Sequence, residues 1–96
     1  MSDRLALPLD RPLELHRQFR FQWEPAQESF VLLYPEGMVK LAGSAGEILK
    51  RVDGKRGLDD IVKDLEASFP GVELRADVVE FLEIAHEKGW IHAKDR

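Results

Sequence analysis

The chain has no cysteine among its 96 residues. That excludes disulfides, thiolate nucleophiles and thiolate-bound zinc. Histidine is scarce too: His16, His86 and His92 lie in separate segments and form no metal-ligand spacing. The serines are Ser2, Ser29, Ser44 and Ser68, and none stands in a GxSxG elbow. Gly43-Ser44-Ala45-Gly46 lacks the lysine and the spacing of a phosphate loop. An enzyme, a metal site and a bound cofactor are therefore not expected. No apolar run approaches the ~18 residues of a membrane span, and MSDRLALPLDRP lacks the apolar stretch of a signal peptide, so a cytoplasmic protein is expected. Basic charge is also short: 18 acidic against 14 basic residues give a net charge of −4, which argues against nucleic acid as partner.

What is present suffices for one small folded domain. Hydrophobic residues make up 44% and charged residues 33% of the chain, an ordinary balance for a globular protein. Residues 1–17 mix Leu5, Leu7, Leu9 and Leu13 with Pro8 and Pro12, and read as an arm. The arm is expected to be flexible unless its leucines pack on the domain or on a second copy, so the chain is expected to be a monomer or a weak homodimer through the arm. The domain is expected over 18–92, with a tail at 93–96.

From Arg17 the pattern has period two: Phe19, Phe21 and Trp23 alternate with Arg20, Gln22 and Glu24, as in a strand with one buried face. Phe30 to Tyr34 is continuously apolar, as in a central strand covered on both sides. Pro35-Glu36-Gly37 is a turn, and Met38 to Leu41 forms a third strand. The period then becomes helical. Ser44 and Glu47 are spaced as a capping box ahead of Ile48, Leu49 and Val52. A second helix spans about 58–69 with Leu58, Ile61, Val62, Leu65 and Phe69 on one stripe. A third spans about 75–88, with Val78, Phe81, Leu82 and Ala85 inward and Gly89 as its terminator. Trp90-Ile91-His92 is a candidate short final strand. The fold class is α+β: a three-stranded antiparallel sheet followed by three helices in a winged-helix-like arrangement.

A winged helix that reads DNA lays its third helix against phosphates. Here that helix carries Asp77, Glu80, Glu83 and Glu87 against Arg75 and Lys88, and the second helix is also acidic. Attention therefore shifts to the third strand, which has no later strand to pair with its free side. Two readings stay open on pattern alone. The edge accepts an extended peptide by β-augmentation, with the third helix supplying side chains beside it. Alternatively, Met38 and Leu41 complete the core and Lys40 guards the edge against aggregation.

The stretches FQWEPAQ at 21–27, VLLYPEGMVKL at 31–41, SAGEIL at 44–49, Asp53-Gly54 and Gly89-Trp90-Ile91 resemble the PqqD family of pyrroloquinoline quinone biosynthesis over about residues 16–92. Gly57 departs from it, standing where a Ser or Thr cap is expected. The resemblance implies a recognition element for ribosomally made, modified peptides. Such a protein binds the precursor peptide PqqA and presents it to the radical SAM enzyme PqqE, which does the chemistry. It further implies that the peptide adds beside Met38, Val39, Lys40 and Leu41 and packs on Val79, Leu82, Glu83 and His86. A second reading is a carrier that binds the finished quinone through Trp23 and Trp90.

Overall fold

The computed structural model describes residues 11–94. Eight elements follow in order: β1 (Leu13–Leu15), β2 (Arg20–Glu24), β3 (Ser29–Tyr34), β4 (Gly37–Leu41), α1 (Ala45–Lys50), α2 (Leu58–Ser68), α3 (Arg75–Glu87) and β5 (Ile91–Ala93). β2, β3 and β4 form the expected antiparallel meander, in the order β2-β3-β4. The α+β class and the sheet-then-helices order hold.

Of the stretch read as an arm, residues 11–17 are described, and there Leu13 packs on the domain. β1 pairs with β5 in a second, two-stranded sheet, with Leu13 opposite Ala93 and Leu15 opposite Ile91. The Leu13 amide also donates to the Arg56 carbonyl at 2.9 Å, and the Gly54 amide donates to the Leu13 carbonyl at 2.8 Å. Leu13 is fully buried, and its burial drives the docking: three residues of Leu-Glu-Leu alternation after Pro12 are enough when one leucine reaches the core. Ala93 belongs to β5, and the Lys94 amide donates to the Pro12 carbonyl at 2.7 Å, so neither residue behaves as a tail. The expectation of dimerisation through the arm falls largely on residues 1–10, outside the described residues.

One core joins the sheet to the helices. Leu32 and Leu41 from the sheet meet Ile48 and Leu49 of α1, Ile61 and Leu65 of α2, and Val78 and Leu82 of α3. Val31 and Leu32 are both fully buried, as a central strand covered on both sides requires. α1 lies hard on β3, because a Cβ at Gly46 would come within 2.6 Å of Phe30 Cδ2.

The helix ends differ in part from their expected form. Ser44 is helical (φ −80°, ψ −5°) and its side chain makes no capping hydrogen bond. Glu47 is not free to complete a capping box, since it pairs at 3.0 Å with Arg51 one turn on. Arg51 also binds Asp64 of α2 and so ties the two helices together. The end of α3 follows expectation. Gly89 is left-handed (φ 79°), its amide donates to the His86 carbonyl, and the Trp90 amide donates to the Ala85 carbonyl at 2.9 Å. That is a Schellman closure, and it aims the chain into β5. Among the described residues, no helix is long and apolar enough to cross a membrane.

Candidate functional site

A two-residue loop, Pro35-Glu36, joins β3 to β4, with Tyr34 opposite Gly37. In such a hairpin the pair next to the turn is hydrogen-bonded, and the bonding alternates along the ladder. Tyr34↔Gly37, Leu32↔Val39 and Phe30↔Leu41 are then the bonded pairs, and Leu33↔Met38 and Val31↔Lys40 the unbonded ones. Val39 therefore spends its backbone N–H and C=O on β3. Met38 and Lys40 turn theirs away from β3, along the outer edge of the sheet. Side chains follow the same alternation: Leu41 is buried and Val39 half-buried against the core, while Met38 and Lys40 are exposed.

The four expected strand residues thus lie together on one edge. The four expected helix residues divide between the core and the surface. Leu82 is fully buried in the core, which removes it from any surface. Val79 and Glu83 line a cleft of about 920 Å³ against Asp59, Val62 and Lys63 of α2. Arg75, at the start of that cleft, pairs with Asp59 at 2.8 Å. His86, half-buried, lies on the same flank at 100° per residue. The opposite flank carries Asp77, Phe81 and Ile84. Asp77 and Val78 share a second cleft with Gly43 and Ser44, just beyond the end of β4. On that flank Asp77 thus reaches the end of β4, while Ile84 shares a depression with Glu80, Glu83 and Glu87. Phe81, on the inward stripe by pattern, is half-buried with its ring 6.5 Å from that of Trp90. Ile84 is 41% exposed, in keeping with its place outside the Val78–Phe81–Leu82–Ala85 stripe at 100° per residue.

The tryptophans do not converge. Trp23 is half-exposed on β2, edge-on to Phe30 at 5.0 Å, and Trp90 lies against Phe81. The expected buried face of β2 thus fades at Trp23, since α1 presses on Phe30 rather than on its outer neighbour.

Charge on the helices is partly satisfied within the fold. Asp64 accepts a hydrogen bond from Arg51, and this holds its carboxyl below the usual carboxylate range. Burial works against the Arg51 charge, but hydrogen bonds to Glu47 and Asp64 outweigh it and raise the guanidinium pKa. Among the described residues, no group of His, Asp or Glu is placed to hold a metal ion.

Residues 29–91 match the family described as Coenzyme PQQ synthesis protein D (PqqD). A Pseudomonas aeruginosa PAO1 protein named "PqqA binding protein" is 56% identical over 89 residues, covering 91% of this chain and 97% of that one. A protein of the same name from Azotobacter vinelandii is 57% identical over 79 residues, covering 81% and 86%. Among solved structures, the fold is similar to the solution NMR structure of the PqqD truncation of Methylobacterium extorquens PqqCD. The TM-score is 0.75 at 24% identity, over 95% of this chain and 99% of that one. That neighbour is described as a functional, stand-alone recognition element for ribosomally synthesised, post-translationally modified peptides.

Proposed function

The chain belongs to the PqqD family, and on that premise we propose that it binds the precursor peptide PqqA as an added strand on β4 and presents it to the radical SAM enzyme PqqE in the cytoplasm. It carries out no catalytic step of its own. The observation that carries the reading is the outer edge of β4, where the backbone groups of Met38 and Lys40 point away from β3. An extended peptide completes that ladder, with main-chain bonds giving register and neighbouring side chains giving selectivity. The names of the relatives supply the guest, PqqA.

We take the Asp77–Phe81–Ile84 flank of α3, rather than Val79, Glu83 and His86, as the surface beside the added strand, because Asp77 lines the cleft at the end of β4. Titrating PqqA into ¹⁵N-labelled protein should shift the amides of Met38 and Lys40 together with those of Asp77, Phe81 and Ile84. Shifts confined to β2, or to the cleft holding Val79 and Glu83, would remove the assignment. Presentation is tested separately, by the affinity of the protein for PqqE with and without PqqA. The reading expects a ternary complex, and mutually exclusive binding would contradict it. The quinone-carrier reading has no support in the placement of Trp23 and Trp90.

A further inference from the structure

β4 is one outer strand of the three-stranded sheet and β2 is the other, with no strand on its far side among the described residues. The direction of its backbone groups follows from the register. Leu32 spends its N–H and C=O on Val39, so Phe21↔Leu32 is an unbonded pair and Gln22↔Val31 a bonded one. Phe21 and Trp23 therefore turn their backbone groups away from β3, to the open side. Among the described residues, no turn or loop hydrogen bond engages them there.

Open edges are ordinarily defended by charge, by proline or by a bulge. Pro25 ends this one, but charge repels a second copy only where like charges meet. The strand reads Arg20-Phe21-Gln22-Trp23-Glu24, with opposite charges at its two ends and an aromatic residue on either side of the centre. Antiparallel pairing of two copies about Gln22 sets Arg20 of each opposite Glu24 of the other. It also sets Phe21 of each opposite Trp23 of the other, as the bonded pairs. Backbone direction allows two further registers, Phe21 on Phe21 and Trp23 on Trp23. Each of those overlaps little more than half of the five-residue strand and leaves Arg20 and Glu24 unmatched.

The side chains are placed for the central register. Neither the Arg20 nor the Glu24 side chain has a hydrogen bond or ion pair among the described residues. Trp23 is 50% exposed, yet its ring is held edge-on to Phe30 at 5.0 Å. Phe21 stacks on the same ring at 4.9 Å. A second copy thus meets a fixed aromatic edge, and each Trp23 gains a neighbour in Phe21 of the other copy.

We propose that β2 is a self-association edge through which two copies of the chain join about Gln22. The two sheets become one of six strands, and both β4 edges stay open at its far ends. The pairing does not depend on what β4 binds. Only one short strand of each copy takes part, so the dimer is weak and electrostatically matched.

Sedimentation equilibrium of the full chain at low salt, from about 10 µM to about 1 mM, covers the range of such small interfaces. Wild type should pass from monomer to dimer. R20E and E24R each set like charges opposite one another at both ends of the ladder, and each should raise the dimer dissociation constant at least tenfold. An equimolar mixture of the two variants restores unlike charges at both ends, and should dimerise within about threefold of wild type. Both side chains lie at the surface, and unchanged circular dichroism spectra verify that the variants fold. A wild type that stays monomeric throughout overturns the proposal. So does a dimer that either variant keeps, since the contact then lies elsewhere, and so does a mixture that fails to dimerise. Saturating PqqA should leave the dimer intact; dissociation by the peptide would move the contact to β4 and overturn the assignment to β2.

Discussion

Gly46 lies so close to Phe30 that a Cβ at that position would stand 2.6 Å from the ring. This approach lets α1 settle on the centre of the sheet and thereby fixes the height of β4 against the helices. Gly46→Ala should push the two apart and destabilise the protein by roughly 1–3 kcal/mol, as overpacked cores do. A urea midpoint lower than wild type, with unchanged slope, is the expected result.

Glu28 is the one non-glycine described with a positive φ, at 52°. It closes the β2–β3 hairpin behind two turn hydrogen bonds, from Gln27 to Glu24 and from Glu28 to Pro25. A β-carbon in this region is strained by about 1–2 kcal/mol, and glycine escapes the penalty. Glu28→Gly should therefore raise stability by up to about 1 kcal/mol, or a thermal midpoint gain of roughly 4–8 °C for a domain of this size.

Acid should loosen the α1–α2 junction. The Asp64 carboxyl is held below its usual range chiefly by the hydrogen bond from Arg51. A depressed folded-state pKa means that the stabilisation is fully present above the unfolded value near ~4. It is lost as pH falls through the lower folded value. Urea midpoints measured from pH 6 down to pH 2 should fall, and Asp64→Asn should be less stable at pH 6 with a shallower fall.

The two flanks of α3 should respond differently to substitution. Ile84→Asp, on the flank proposed to lie beside the added strand, should weaken PqqA binding about tenfold, or ~1.4 kcal/mol. Glu83→Gln, in the cleft against α2, should leave the affinity within about twofold. The reverse order in a fluorescence titration would return the site to the other flank.

The sheet, the three helices and the edge character of β4 were legible because each rests on a local pattern. Alternation at Phe19–Phe21, the Pro35–Gly37 turn and the stripes of Leu58–Leu65 and Val78–Ala85 each mark an element from its local pattern, although Trp23 at the end of the alternation is half-exposed. Pairing between distant segments was not legible. β1 is three residues long, and its partner lies at Ile91–Ala93, so no local signal joins them. The orientation of α3 was also hidden. Periodicity fixes which stripe is inward, and it does not say which flank meets the sheet and which meets α2. Ser44 and Glu47 show the same limit: the spacing fits a capping box, but Arg51 competes for the carboxylate. Phe69 fits the α2 stripe by count and leaves it because the helix stops one residue earlier.

The central claim is that PqqA binds through the outward backbone of β4, and PqqA affinity measured for Lys40→Ala and Lys40→Pro tests it most directly. Both remove the side chain, whereas only proline removes the N–H that faces away from β3, and an edge strand tolerates proline there. The account predicts affinity within about twofold of wild type for Lys40→Ala and a loss of about tenfold for Lys40→Pro, with the circular dichroism spectrum unchanged. Equal affinities for the two variants would contradict it.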